Sequence, residues 1–455
     1  MISVSGIRGH VGTDLTPELV ARYAAALGAW SLATQSVGPS ARPSVVLGRD
    51  SRTSGPMFAR AAAAGFMSAG VDVIDLGMVP TPTVQLAVEH HHAGAGLILT
   101  ASHNPVEWNA LKFVGPDGIF LDAEAGRVVR DLAEKGPARA GWADVGQVRG
   151  DPDAIARHLD AILALPLIDV PAIRRRRFKV ALDCVRGAGA TAILPLLERL
   201  GCQVQGINLE TDGLFPRPPE PVPENLGDLS RLVRETGSSV GLALDPDVDR
   251  LALVDETGRP IGEDYTLAFA VAAVLDGRIN AATIPTVVVN LSTSLVVEDA
   301  ARSRGARFIR APVGEANVAR AIRDEGALIG GEGNGGVMFP ELHIGRDAPL
   351  GVALILHLLA GTGLTLSQLV AASPRYVIVK AKGPRGPELR PLYDRLRHRF
   401  PDATPDERDG LRLSWQDRWL HVRPSGTEPI VRLIAEAPTV HDAEALVTTG
   451  RELLY

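Results

Sequence analysis

Three aspartates stand at alternate positions in Leu242-Ala243-Leu244-Asp245-Pro246-Asp247-Val248-Asp249-Arg250. In extended backbone, residues i, i+2 and i+4 share one face. Carboxylates held that close repel unless a cation gathers them, and the sequence on both sides is of the apolar kind that buries. All-oxygen donors suit a hard cation such as Mg²⁺, which usually completes its shell with a phosphate oxygen. The spacing predicts a metal loop, with an acidic solvated turn as the alternative.

Three more loops interrupt apolar runs. Thr100-Ala101-Ser102-His103-Asn104-Pro105 follows Gly96-Leu97-Ile98-Leu99. A serine at the carboxyl end of a strand sits where α/β folds place ligands, and its hydroxyl can carry a transferred group covalently. Alone, Ser, His and Asn would equally cap a turn before Pro105. Lys112 follows closely enough to fold back as a proton acceptor or charge clamp. In Gly330-Gly331-Glu332-Gly333-Asn334-Gly335-Gly336, Glu332 and Asn334 can bond sugar hydroxyls while glycines admit close approach; alone, it is a glycine-rich turn. Arg423-Pro424-Ser425-Gly426-Thr427-Glu428-Pro429 directly follows an expected strand. Its Arg fork, two hydroxyls and free amides around Gly426 form an anion cradle, and Arg432 adds charge. It is not a Walker loop.

The elements that must position these loops follow one grammar, repeated three times: β-branched strand, short turn, helix, glycine, second strand. The repeats run from Val45 to Ile74, from Val180 to Val204 and from Val287 to Ile309. Apolar strands alternating with amphipathic helices argue for α/β layers with mixed or parallel sheets. Past Arg375, expected strands and helices segregate, which predicts a small α+β unit. The expected domains are residues 1–148, 149–254, 255–370 and 371–455.

Bulk properties narrow the function classes. A chain of 455 residues exceeds one core and divides into about three or four units. Aromatics are only 4%, so cores are built from Val, Leu, Ile and Ala, as in buried parallel strands. The net charge of −6 argues against nucleic acid, and the basic run Arg174 to Arg177 reads as a solvated loop before a strand. Cys184 and Cys202 make no metal or redox spacing and read as buried thiols in a reducing compartment. No apolar run approaches the ~20 residues a membrane span needs, and the N-terminus lacks a signal-peptide core. A cytoplasmic protein without membrane contact is the expectation. His90-His91-His92 ends a predicted helix, where cations meet the dipole favourably, and is set aside as a metal site.

Taken in order, with the opening Ser5-Gly6-Ile7-Arg8-Gly9, the four loops resemble the α-D-phosphohexomutase superfamily, which groups phosphoglucomutases, phosphomannomutases and phosphoglucosamine mutases. The resemblance covers essentially the whole chain. It implies three similar α/β domains and an α+β domain around a central cleft. Ser102 is then the phosphoserine, and Asp245, Asp247 and Asp249 are Mg²⁺ ligands together with Ser102. His103 and Lys112 become catalytic-loop residues, with Lys112 a candidate for proton transfer, and Arg8 and Arg250 become active-site arginines. Glu332 takes the sugar-reading position, while Arg423, Ser425, Gly426 and Thr427 clamp the distal phosphate. The implied reaction interconverts hexose 6- and 1-phosphates through a bisphosphate, with hexose 1,6-bisphosphate as activator and a monomer or homodimer as the acting species. Two departures bear on this. Pro246 replaces a common glycine, and Asn334 and Gly336 stand where well-known members have Ser and His. The form GE-x-N-G-G resembles the phosphoglucosamine mutase branch, so glucosamine phosphate is the expected substrate, with mannose and glucose phosphates as the alternative. A phosphatase using the aspartates and a water nucleophile, and a non-catalytic sugar-phosphate sensor, are the remaining readings.

Overall fold

A computed structural model describes residues 2–3, 6–34, 42–277, 284–386, 388–425 and 430–454. The first sheet sets parallel strands Val148–Gly150, Asp72–Met78, Ser44–Arg49 and Ala95–Leu99 side by side. Antiparallel strands Trp108–Val114, Gly6–His10 and Ile2–Ser3 continue it. The second sheet has parallel strands Gln203–Ile207, Lys179–Asp183 and Val240–Leu244, then antiparallel Leu251–Val254. The third repeats the plan with Arg307–Ala311, Thr286–Asn290 and Ile329–Glu332, then antiparallel Gly336–Met338.

The expected repeat is present in each. Helices Gly55–Ser68, Gly189–Arg199 and Leu295–Arg302 join the two strands of the three repeats. Gly70, Gly201 and Gly305 then turn the chain at φ of 82°, 71° and 73°, a region a side chain enters only at a cost. Ala95–Leu99, Val240–Leu244 and Thr286–Asn290 are buried at every position, which accounts for the apolar run within each.

The C-terminal unit is a wholly antiparallel sheet in the order Val377–Pro384, Ile430–Ala437, Trp419–Pro424, Leu411–Ser414, Thr404–Asp406. Helices Arg390–Arg399 and Val440–Glu452 bury Leu392, Leu396, Leu446 and Val447 in its core.

This topology places the described chemical loops in equivalent positions. The Ser102 loop joins Ala95–Leu99 to its antiparallel neighbour, and the aspartate loop does the same after Val240–Leu244. The glycine-rich loop follows Ile329–Glu332, and residues 425–429 link Trp419–Pro424 to Ile430–Ala437. One architectural device, a strand reversing into an antiparallel partner, is used four times.

The second and third units share a hydrophobic core through helices Asp264–Asp276 and Ala348–Thr362. Each fully buried Leu or Val there contributes roughly 1.5–3 kcal/mol of transfer free energy. Among the described residues no single helix is long and apolar enough to cross a membrane. Two local expectations change. Arg174 to Arg176 form the last turn of helix Val170–Arg176, not a loop, and Arg174 Nε donates to the Arg199 carbonyl at 2.9 Å. Positive charge is favourable at that helix end. The short edge strand Thr404–Asp406 has no apolar pattern to announce it. Cys184 and Cys202 are free thiols, and burial pushes Cys202 up to about 12.

Candidate active site

Ser102 is buried and holds φ at 49°, an uncommon conformation for a residue with a side chain. Its Oγ donates to Asp245 Oδ2 at 3.0 Å and lies 3.3 Å from His103 Nδ1. The phosphoryl-carrier candidate and the metal loop, 143 positions apart, are therefore in direct contact. Arg8 Nη1 donates to Asn104 Oδ1 at 2.6 Å and so ties strand Gly6–His10 to the serine loop. Arg250 with burial and Arg8 push the His103 imidazole well below its ordinary pKa, leaving a neutral ring at pH 7.

The aspartate loop is a tight turn between antiparallel strands, which corrects the extended geometry expected from sequence. Val248 sits at φ 63°, strained for a β-branched residue. The Asp249 and Arg250 amides donate to Asp245 Oδ1, both at 3.2 Å. Convergence of the carboxylates thus comes from curling the chain. The Pro246 carbonyl accepts from the Ala188 amide at 2.8 Å, which ties the turn to the start of helix Gly189–Arg199.

All three aspartates are fully buried, and one oxygen from each lies within 4.8 Å of the others. Asp247 Oδ2 accepts from Lys112 Nζ at 2.7 Å and from Thr81 Oγ1 at 2.8 Å. Burial opposes ionisation of Asp247, but Lys112 outweighs it and holds the carboxyl well below the usual range. Burial, with Asp249 and Asp247 alongside, pushes Asp245 well above it. For Lys112, burial disfavours the charge, yet Asp247 and Asp249 raise the ammonium above its ordinary value. Asp247 Oδ1 and Asp249 Oδ1 are buried without a hydrogen-bond partner. Buried carboxylate oxygens without a hydrogen-bond donor, beside a third carboxylate, fit a divalent cation that satisfies them together.

In the third loop, Glu332 Oε1 accepts from Asn290 Nδ2 at 2.9 Å and from the Gly314 amide at 3.1 Å, and Oε2 from Arg346 Nη1 at 2.7 Å. Burial alone would raise its pKa, but Arg346 holds the carboxyl below the ordinary value. Asn334 Oδ1 accepts from the Gly336 amide at 3.2 Å.

A cleft of about 940 Å³ joins these parts, lined by Arg8, Ser102, His103, Lys112, Glu220, Arg250, Glu332, Asn334, Arg346 and Arg432. Residues from all four units contribute. Arg432 reaches the cleft wall, whereas Arg423 Nε lies 3.0 Å from Asp409 Oδ2 in its own unit. Ser425 is buried, its amide donating to the Ile430 carbonyl at 2.9 Å. Gly426 and Thr427, with Ser5 of the opening motif, lie outside the described residues.

Several site residues escape a reading of local sequence. Arg346, fully framed by carboxylates, bridges Asp249, Glu315 and Glu332 and so joins the metal loop to the glycine-rich loop. Arg52 and Asp50 sit beneath the serine loop. The only local hint is a charged pair beside apolar sequence, Asp50 and Arg52 in one case and Arg346 and Asp347 in the other, and it names no partner. A separate buried cluster surrounds Asp347, whose Oδ2 lies 2.8 Å from His158 Nε2 and 3.0 Å from His343 Nε2. His158 Nδ1 in turn pairs with Thr83 Oγ1 at 2.9 Å, so the cluster pins the first three units together.

Comparison with known proteins agrees with this architecture. Residues 2–139, 156–258 and 262–376 match the families described as phosphoglucomutase/phosphomannomutase, alpha/beta/alpha domains I, II and III. Residues 402–449 match the C-terminal domain of the same group. A phosphoglucomutase/phosphomannomutase of Thermococcus kodakarensis is 37% identical over 99% of this chain and 97% of its own. A probable phosphoglucosamine mutase of Methanopyrus kandleri is also 37% identical, covering 97% of this chain and 95% of the relative. The crystal structure of a phosphoglucomutase/phosphomannomutase family protein from Burkholderia thailandensis superposes with a TM-score of 0.86 at 26% identity, covering 100% of this chain and 96% of that one. By sequence and by fold, the chain belongs to the phosphoglucomutase/phosphomannomutase family of phosphohexomutases.

Proposed function

We propose that the protein interconverts hexose 6-phosphate and hexose 1-phosphate through a phosphorylated Ser102, with glucosamine phosphate as the preferred substrate. The observation that carries the proposal is the 3.0 Å contact of Ser102 Oγ with Asp245, in a cleft whose wall also holds Glu332 and Arg432. When bound, Mg²⁺ held by Asp245, Asp247, Asp249 and Ser102 would neutralise charge on the transferring group.

The remaining work falls to the chain itself. A sugar hydroxyl attacks phospho-Ser102; the new sugar O–P bond forms as the Oγ–P bond breaks. The neutral His103 ring beside Ser102 takes up the hydroxyl proton, while the Lys112 ammonium, donating to Asp247, balances the moving charge. The bisphosphate then turns over, and its other phosphoryl group returns to Ser102. Arg8 and Arg250 hold the reacting phosphate, while Arg423, Ser425, Gly426, Thr427 and Arg432 receive the distal one. Hexose 1,6-bisphosphate recharges an enzyme that has lost its phosphoryl group.

Glucosamine is preferred because Glu332 and Asn334 both line the cleft, in the GE-x-N-G-G form that resembles the phosphoglucosamine mutase branch. The Methanopyrus kandleri relative named a probable phosphoglucosamine mutase supports this. The equally similar Thermococcus kodakarensis relative keeps glucose and mannose phosphates as the alternative. Comparing kcat/KM for the three sugar phosphates with Mg²⁺ and bisphosphate activator tests the preference. Ser102→Ala should abolish isomerisation; near-normal turnover in that variant removes the mechanism.

A further inference from the structure

Resting on the Ser102 reading above, the geometry points to Arg52 as the positioning residue for phosphoryl transfer: its guanidinium holds the serine loop in the conformation that aims Ser102 Oγ at Asp245. Arg52 is fully buried, and its Nε donates to Asp50 Oδ2 at 3.0 Å. Nη2 donates to the carbonyls of Ser102 and Asn104 at 2.7 and 2.6 Å. Nη1 donates to the carbonyls of Pro105 and Trp108 at 2.6 and 2.9 Å. One planar fork thus closes the loop from the serine to the start of the next strand. The Phe215 ring, from the second unit, stands 5.0 Å from the guanidinium carbon.

Asp50 completes the template. Its Oδ2 also accepts from Thr100 Oγ1 at 2.7 Å, and that hydroxyl oxygen accepts from the Ser102 amide at 2.9 Å. Both sides of the Ser102 peptide are therefore gripped, the amide through Thr100 and the carbonyl by Arg52. That grip sustains the φ of 49°, a strained conformation that needs surroundings that over-determine it. Only guanidinium offers five donors in a fixed plane; a lysine ammonium keeps the charge opposite Asp50 but cannot span four carbonyls.

The test is Arg52→Lys, read by circular dichroism and Tm, by the rate at which glucose 1,6-bisphosphate phosphorylates Ser102 (intact mass), and by kcat and KM. The folded variant should lose about 100-fold in phosphorylation rate and kcat, because a misplacement near 1 Å is enough for that. KM for the sugar phosphate should stay within about threefold, since Arg52 lines no part of the cleft. Added guanidinium should restore at least about tenfold to Arg52→Ala by refilling the vacated site. Wild-type phosphorylation rates in folded Arg52→Lys overturn the proposal, as does a loss confined to Tm with no guanidinium rescue. If Arg52→Lys does not fold, Thr100→Val, which cuts the link to the Ser102 amide, must show a smaller loss of the same kind; no loss there overturns it equally. A wild-type enzyme whose Ser102 takes up no phosphoryl group would instead sink the functional reading.

Discussion

Replacing Asp347 by asparagine should destabilise the protein by about 3–5 kcal/mol at pH 7, the range for removing one partner of a buried charged pair. The figure can be built from the geometry. The carboxylate accepts from His158 Nε2 and His343 Nε2 through Oδ2, and from the Leu350 amide at 2.8 Å through Oδ1. An asparagine can still cap the Leu350 amide with its oxygen, but its NH₂ then confronts two ring N–H groups. Each buried donor left unpaired costs about 1–3 kcal/mol. Burial opposes the Asp347 charge, but His158 and His343 outweigh it and hold the carboxyl below the ordinary range. A depressed folded pKa adds stability that is complete above the unfolded value near 4 and is lost as pH falls through the folded value. The gap between wild type and Asp347→Asn should therefore be widest at neutral pH and shrink below about pH 4. Urea unfolding followed by tryptophan fluorescence at pH 7, 5 and 3 measures it, using the first transition because a four-unit chain need not unfold in one step. Because Arg346 precedes Asp347 in the chain and bridges Asp249 to Glu332, mutase activity should fall with stability. A variant within 1 kcal/mol of wild type at pH 7, or a gap that does not change below pH 4, would refute the reasoning.

Two other perturbations probe the joints of the site. Glu436 caps the third unit's helix from the fourth, accepting from Ser294 Oγ and from the Leu295 amide at 2.8 Å, while Trp419 Nε1 donates to it at 2.6 Å. Glu436→Gln should cost about 1–3 kcal/mol and speed hydrogen exchange in the first turn of Leu295–Arg302; unchanged exchange there would contradict the capping role. Asp249→Asn removes one carboxylate from the metal set and a partner of Arg346, and should weaken Mg²⁺ or Mn²⁺ binding on the order of tenfold or more by calorimetry. Unaltered affinity would place the cation elsewhere.

Much of the site was legible because its chemistry is contiguous. Asp245, Asp247 and Asp249 announce themselves within five positions, and Ser102 and Lys112 lie on one strand-loop-strand segment. The triple repeat was equally readable, since buried strands demand β-branched runs and the turn after each helix demands glycine. Arg52, Arg346 and the histidine pair around Asp347 were not. His158 meets Asp347 across 189 positions and Arg346 meets Asp249 across 97, and nothing in either neighbourhood specifies the other. A buried charge requires a partner, but its own sequence does not say which element will bring one. The shape of the metal loop was likewise hidden, because alternate aspartates suit an extended strand as well as the strained turn at Val248.

The linear chain by itself determined the layer class, the number of repeats, the places where apolar strands break into chemistry and the family, since these depend on residue type and short-range spacing. Packing decided the rest: that the serine, aspartate and glycine-rich loops meet at one cleft that Arg432 of the fourth unit also lines, that Ser102 Oγ touches Asp245, and that Arg52 and Arg346 are spent inside the protein rather than on the surface. The reason is physical. Periodicity and turn propensity act over a few residues, whereas the pairing of buried charges is settled only when distant elements exclude water between them.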